Sequence, residues 1–156
     1  MNEPPVKDAR GFFKLPQGPE HGGHGYYTYG TPARGAGQFA HPKLLSMLNL
    51  VEHRWQGMDN RKIGIGNISL ADGVKFRPHE GHVSGLDVDI RLIRKDGLQL
   101  PISWNERQYD REATEMLICL FFESNLVKVI YFNDPKIPRV QPRIYHDNHF
   151  HVTILE

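Results

Sequence analysis

Two stretches of the chain carry apolar residues at helical spacing. In "HPKLLSMLNLVEHRWQG", residues 41–57, Leu44, Leu45, Leu48, Val51 and Trp55 form one stripe. Pro42 suits a first helical turn and Gly57 stops the run, with His41 as the capping residue and His53 on the surface. In "DREATEMLICLFFESN", residues 110–125, Asp110 caps a second helix whose apolar face is Ala113, Met116, Leu117, Leu120 and Phe121. Cys119 falls inside this apolar run and is expected in the core.

Other stretches have the period or the composition of strands. "GLDVDIRLI" alternates, with Leu86, Val88, Ile90 and Leu92 apolar and Asp87, Asp89 and Arg91 polar. "KIGIGNISL" (62–70), "LVKVIYF" (126–132) and the terminal "HFHVTIL" are strand-like, and "KDG" at 95–97 is a turn. The order helix, strand, strand, helix, strand, strand predicts an α+β fold: a small antiparallel sheet with two main helices packed against it. Residues 1–24, rich in proline, glycine and charge, are expected to form a flexible N-terminal arm. The glycines of "HGGHGYYTYGTPARGAG" preclude a regular helix, so this stretch is expected as a loop whose tyrosines pack on something. His21 and His24 within it are expected as solvated residues. The G-x-G of residues 64–66 lacks the third glycine and the following helix of a nucleotide-binding fingerprint.

Composition narrows the chemistry. A chain of 156 residues suits one domain. Its net charge of +1 gives no electrostatic case for nucleic acid or an anionic membrane, and no apolar run is long enough to span a bilayer. A single cysteine excludes an internal disulfide, a zinc ribbon and an iron–sulfur site. Histidine is the unusual component: there are nine, and His146, His149 and His151 lie near the C-terminal end.

The segment "PHEGHVSGLDVDI", residues 78–90, places His79 and His82 three apart, behind Pro78 and around Gly81. That is neither the spacing nor the helical setting of H-E-x-x-H, so a helical zinc-protease site is excluded. His82 instead precedes Asp89 by seven residues, and a loop carrying His82 can fold back over the strand carrying Asp89. Two ligands do not make a zinc site. "HDNHFHV" supplies the rest: in a strand, His149 and His151 project to one face. One imidazole can complete the ligand set while its neighbour stands near a metal-bound water. Three protein ligands and a water are the pattern of a catalytic zinc, and an N,N,O set suits zinc without excluding other divalent ions.

"GHVSGLDVDI" followed by "HDNHFHV" resembles the penicillin-insensitive murein endopeptidases, within the zinc peptidases that include D-Ala-D-Ala dipeptidases and lysostaphin-type enzymes. "QFAHPKLLSMLNLV" and "VIYFNDPKI" extend the resemblance over about residues 25–154, so residues 25–156 are expected to be a zinc peptidase domain. The resemblance implies Zn2+ as cofactor, His82, Asp89 and His151 as its ligands, and His149 as general base or electrostatic partner of the attacking water. His79 and His146 match histidine positions of the family and are candidates for substrate contact or a second, weaker metal. Asp87 matches too, as a residue that fixes a ligand's orientation.

The implied substrate is peptidoglycan, cleaved at D-alanyl–diaminopimelate cross-links between stem peptides. Lys75, Arg77 and Arg143 flank the motifs and are candidates for binding the acidic stem. The alternatives are a D,D-carboxypeptidase or dipeptidase on the same scaffold, or a zinc-containing wall-binding module without catalysis. The sequence departs from the larger family members in its lack of several cysteines, of a signal segment and of a tail beyond the H-x-H strand. It is therefore expected to be made in the cytoplasm and to act in the periplasm or on the wall. Delivery would be by phage lysis or a secretion route outside the general pathway, with a holin, a secretion apparatus or an immunity protein as possible partners.

Overall fold

The computed structural model describes residues 6–18 and 23–156. His21 lies outside the described residues. In chain order the elements are β1 (Phe13–Lys14), β2 (Tyr26–Thr28), β3 (Phe39–Ala40), α1 (Pro42–Gln56), β4 (Ile63–Ile65), β5 (Asp87–Arg91), α2 (Arg111–Glu123), β6 (Val127–Tyr131) and β7 (His149–Ile154). β1 and β3 form a two-stranded antiparallel sheet, and the main sheet runs β2-β4-β5-β7-β6. The expected α+β class holds. The main sheet is mixed, however: β2 lies parallel to β4, while the other neighbours are antiparallel.

Both helices form where the apolar period placed them. His41 caps α1, its Nδ1 accepting from the Lys43 N–H at 3.1 Å, and Asp110 caps α2 by accepting from the Ala113 N–H at 3.0 Å. α1 buries Leu44, Met47, Leu48, Val51 and Trp55, and α2 buries Ala113, Thr114, Leu117, Ile118, Leu120 and Phe121. They pack with Val88, Ile90, Ile130, Phe150, Val152 and Ile154 of the sheet in one core. The Phe121 and Phe150 rings meet edge to face at 5.7 Å.

Several expectations need correction. Cys119 is exposed, and so is Met116. With 3.6 residues per turn, Glu112, Met116, Cys119 and Glu123 fall on a single stripe, and that stripe is the one turned from the sheet. Leu45 is only half-buried, while Met47 and the carboxylate of Glu52 lie inside. Glu52 is retained there because its Oε1 accepts from the Gly25 N–H at 2.7 Å and from the Gln56 side chain. That bond leads directly into β2, the strand expected to be a loop.

The G-x-G at the end of β4 and just beyond it has a packing role. A Cβ at Gly64 would stand 2.6 Å from the Tyr27 hydroxyl, and one at Gly66 would stand 2.5 Å from Tyr29 Cζ. The missing side chains let both tyrosine rings lie across β4 toward Arg91, which sits 4.1 Å from the Tyr29 ring centroid. The described part of the N-terminal arm lies against the body: Lys14 pairs with Phe39, Leu15 is buried, and Asp8 and Arg10 bond to residues 69–83. No helix among the described residues is long and apolar enough to cross a membrane.

Candidate metal centre

The register of β5 on β7 builds the site. Asp89 stands opposite His151, Arg91 opposite His149, and Asp87 opposite Thr153. Alternation sends Val88, Ile90, Phe150 and Val152 into the core, so Asp87, Asp89, His149 and His151 share the other face. His151 Nδ1 lies 2.9 Å from Asp89 Oδ1, and its Nε2 lies 3.1 Å from Asp87 Oδ1. His82 arrives from the loop before β5, with a left-handed backbone at φ +58°. Its Nδ1 is 3.0 Å from the Ile68 carbonyl oxygen, and its Nε2 is 3.2 Å from Asp89 Oδ2.

One nitrogen or oxygen from each of His82, Asp89 and His151 falls within 4.8 Å of the others, and all three residues are buried. The donor set fits a divalent ion. The Ile68 carbonyl can only accept, so it fixes the proton of His82 on Nδ1 and leaves the Nε2 lone pair facing Asp89. Asp87 accepts from His151 Nε2, which leaves Nδ1 facing Asp89. Asp87 is itself held by the Thr153 hydroxyl at 2.6 Å and the Ser84 hydroxyl at 3.3 Å.

The same contacts set the charges of the cluster. Burial works against both carboxylates, yet bonds from His151 and His82 hold Asp89 far below the ordinary carboxylate range. Bonds from His151 and Thr153 hold Asp87 below it. Burial would lower His151, but bonds to Asp87 and Asp89 raise it to about 9. His149 is shifted the other way, to about 4, chiefly by burial, with the Asp89 charge opposing. It is therefore neutral at pH 7. Its Nε2 lies 3.6 Å from Asp89 Oδ1, and its Nδ1 lies 2.8 Å from Asn148 Oδ1.

The remaining predicted residues separate into two groups. His79 and His146 join the cluster: the His79 ring is 5.0 Å from that of His82, and the His146 ring is 4.8 Å from that of His149. Burial lowers both histidines. Arg143 lies at the rim, 4.6 Å over the Tyr131 ring and 3.6 Å from Glu80, and Tyr131 is 6.1 Å from the His151 ring. Lys75 and Arg77 are exposed, and among the described residues they make no hydrogen bond, ion pair or ring contact with the cluster. Sequence reasoning missed Tyr131, Thr153, Asn67, whose Nδ2 is 3.2 Å from His79 Nε2, and Phe76, edge-on to His79 at 4.8 Å. Only Thr153 carried a signal, being two residues beyond His151 on the same strand face. Tyr29 was missed as well; its hydroxyl is buried with no hydrogen-bond partner among the described residues, and burial and the Asp89 charge push its pKa up.

The buried His82-Asp89-His151 group on the sheet, with further histidines around it, could hold a metal ion. The model of the penicillin-insensitive murein endopeptidase family matches residues 19–129, and the chain belongs to that family. The matched span contains His82 and Asp89 and ends before β7, so His149 and His151 join them through strand pairing. No curated protein matches the chain.

Proposed function

We propose that this murein endopeptidase is zinc-dependent and hydrolyses D-alanyl–diaminopimelate cross-links between peptidoglycan stem peptides. The supporting observation is the register that sets Asp89 against His151 beneath His82, with His149 beside them on the same face. His82 Nε2, the Asp89 carboxylate and His151 Nδ1 would hold the ion. Bound there, zinc supplies Lewis acidity and lowers the pKa of a water to roughly 7. His149, neutral and with Asn148 at its Nδ1, takes the proton at Nε2 as general base. Asp87 holds the His151 ring in orientation. His79 and His146 flank the substrate, and Arg143, with Lys75 and Arg77 further out, meets the acidic stem.

Mass spectrometry of a purified cross-linked muropeptide dimer, incubated with protein and zinc, tests this. Two monomers with intact sugars are expected. Release of terminal D-alanine alone would make the protein a D,D-carboxypeptidase. Zinc binding without any cleavage would make it a wall-binding module.

A further inference from the structure

Residues 8–12 have no part in the mechanism above and precede the span matched by the family model. They grip the loop that carries His82. The Arg10 guanidinium donates from Nη1 to the Val83 carbonyl oxygen at 2.7 Å, and from Nη2 to the Ser69 hydroxyl and the Leu70 carbonyl oxygen, both at 3.0 Å. Asp8 holds its other edge, with Oδ2 3.0 Å from Nε and 2.8 Å from Nη2. Two bonds tie Asp72 to this segment: the Asp72 N–H donates to Asp8 Oδ2 at 2.9 Å, and the Ala9 N–H donates to Asp72 Oδ1 at 2.7 Å. Ser69 is anchored in turn, its hydroxyl donating to the Phe39 carbonyl oxygen of β3 at 2.7 Å.

One cation thus ties residue 83, immediately after His82, to residues 69 and 70, immediately after Ile68. The Ile68 carbonyl is the group that orients the His82 ring. A left-handed backbone at a residue other than glycine persists only where its surroundings hold it, and His82 has φ +58°. Phe12 adds a second grip. Its ring lies 4.3 Å under the Arg10 guanidinium and 5.0 Å from the His41 ring. A Cβ at Gly85 would stand 2.9 Å from that ring and from the His41 nitrogen, so the loop between His82 and Asp89 has no spare room there.

We propose that Arg10, held by Asp8, is a positioning residue for His82: it ties the backbone at Val83, next to that ligand, to Ser69 and Leu70, next to the Ile68 carbonyl that orients its ring, and thereby sets the affinity of the metal centre. The inference rests on the metallopeptidase reading, so its test reads zinc affinity rather than turnover. Zinc dissociation constants would be measured by competition with a chromophoric chelator, at a temperature where circular dichroism shows every variant folded. Arg10→Ala is expected to weaken zinc binding by about tenfold or more, as loss of an outer-shell support does. Arg10→Lys should recover part of the loss, because an ammonium reaches fewer of the acceptors than a planar guanidinium. Lys14→Ala, which removes a cation from the same segment without touching the loop, should change nothing. In a His82→Ala background, Arg10→Ala should cause no further weakening. If Arg10→Ala binds zinc as the wild type does and only melts earlier, the segment is a fold brace and the proposal is overturned. An equal loss in the His82→Ala background overturns it too. A wild-type protein that takes up no zinc overturns the metal-centre reading itself, and this inference with it.

Discussion

Between Asp87 and Asp89 the His151 imidazole has a carboxylate at each nitrogen, and both nitrogens can donate only if the ring is an imidazolium. Its pKa of about 9 means that a metal ion entering at pH 7 must displace that proton. Zinc binding at pH 7 should therefore release about one proton, and the release should shrink as pH rises past 9. Calorimetry in buffers of different ionisation enthalpy measures this, and a binding enthalpy independent of buffer would contradict it. The linkage has a definite sign for the metal-free protein. His151 is raised above its ordinary 6.5, so its contribution to stability is complete below that value and is lost as pH rises through about 9. The two histidines of β7 should also differ in kind. His151→Ala should lose zinc and activity together. His149→Ala should keep zinc and lose activity by roughly 10²–10⁴-fold, the usual cost of removing a positioned base. Metal analysis and turnover on both variants separate the roles; zinc loss only in His149→Ala would reverse them. At this scale the sequence was informative because H-x6-D and H-x-H are fixed by local geometry, whereas Tyr131, Asn67 and Arg10 reach the site only through folding.

Among the elements, α1, α2, β5 and β7 were legible because each carries a long run of one period. β4 was legible from its composition, but β2, three residues long, is too short to show a period and is an edge strand paired in parallel. Its position depends on partners remote in sequence: Glu52 of α1, which accepts from Gly25, and the bare glycine surface of β4 under Tyr27 and Tyr29. α2 has a comparable anchor. The Thr114 hydroxyl, buried on the helix face, accepts from the Ile93 N–H just beyond β5 at 3.1 Å. Thr114→Val keeps the shape but leaves that buried donor unpaired, so it should destabilise the protein by about 1–3 kcal/mol. Urea denaturation measures this, and an unchanged midpoint would show that the bond contributes nothing. The same helix shows how an apolar run misleads. Met116 and Cys119 sit among core residues in sequence and outside them in space, because the core takes one arc of the helix and not the whole run.

For the molecule as a whole, the candidate metal centre joins the loop after β4, strand β5 and the C-terminal strand, so an ion bound there should stabilise all three together. Free zinc at about 100 times its dissociation constant should add about 2.7 kcal/mol. In a domain of this size that raises Tm by roughly 5–10 °C, and a chelator should reverse it. Scanning calorimetry with and without chelator checks this; identical melting curves would show that the cluster holds no metal in solution. The sequence by itself determined the helices, the alternating strands, the α+β class and the residue types of the candidate site, because periodicity, capping and motif spacing act over a few residues. Only the tertiary structure decided that Asp89 faces His151 across 62 residues of chain, that Asp87 and Ile68 orient the two imidazoles, and that residues 8–12 close over the His82 loop. Those relations are set by strand register and loop closure, where the energy comes from groups far apart in the chain, and no local pattern encodes their meeting.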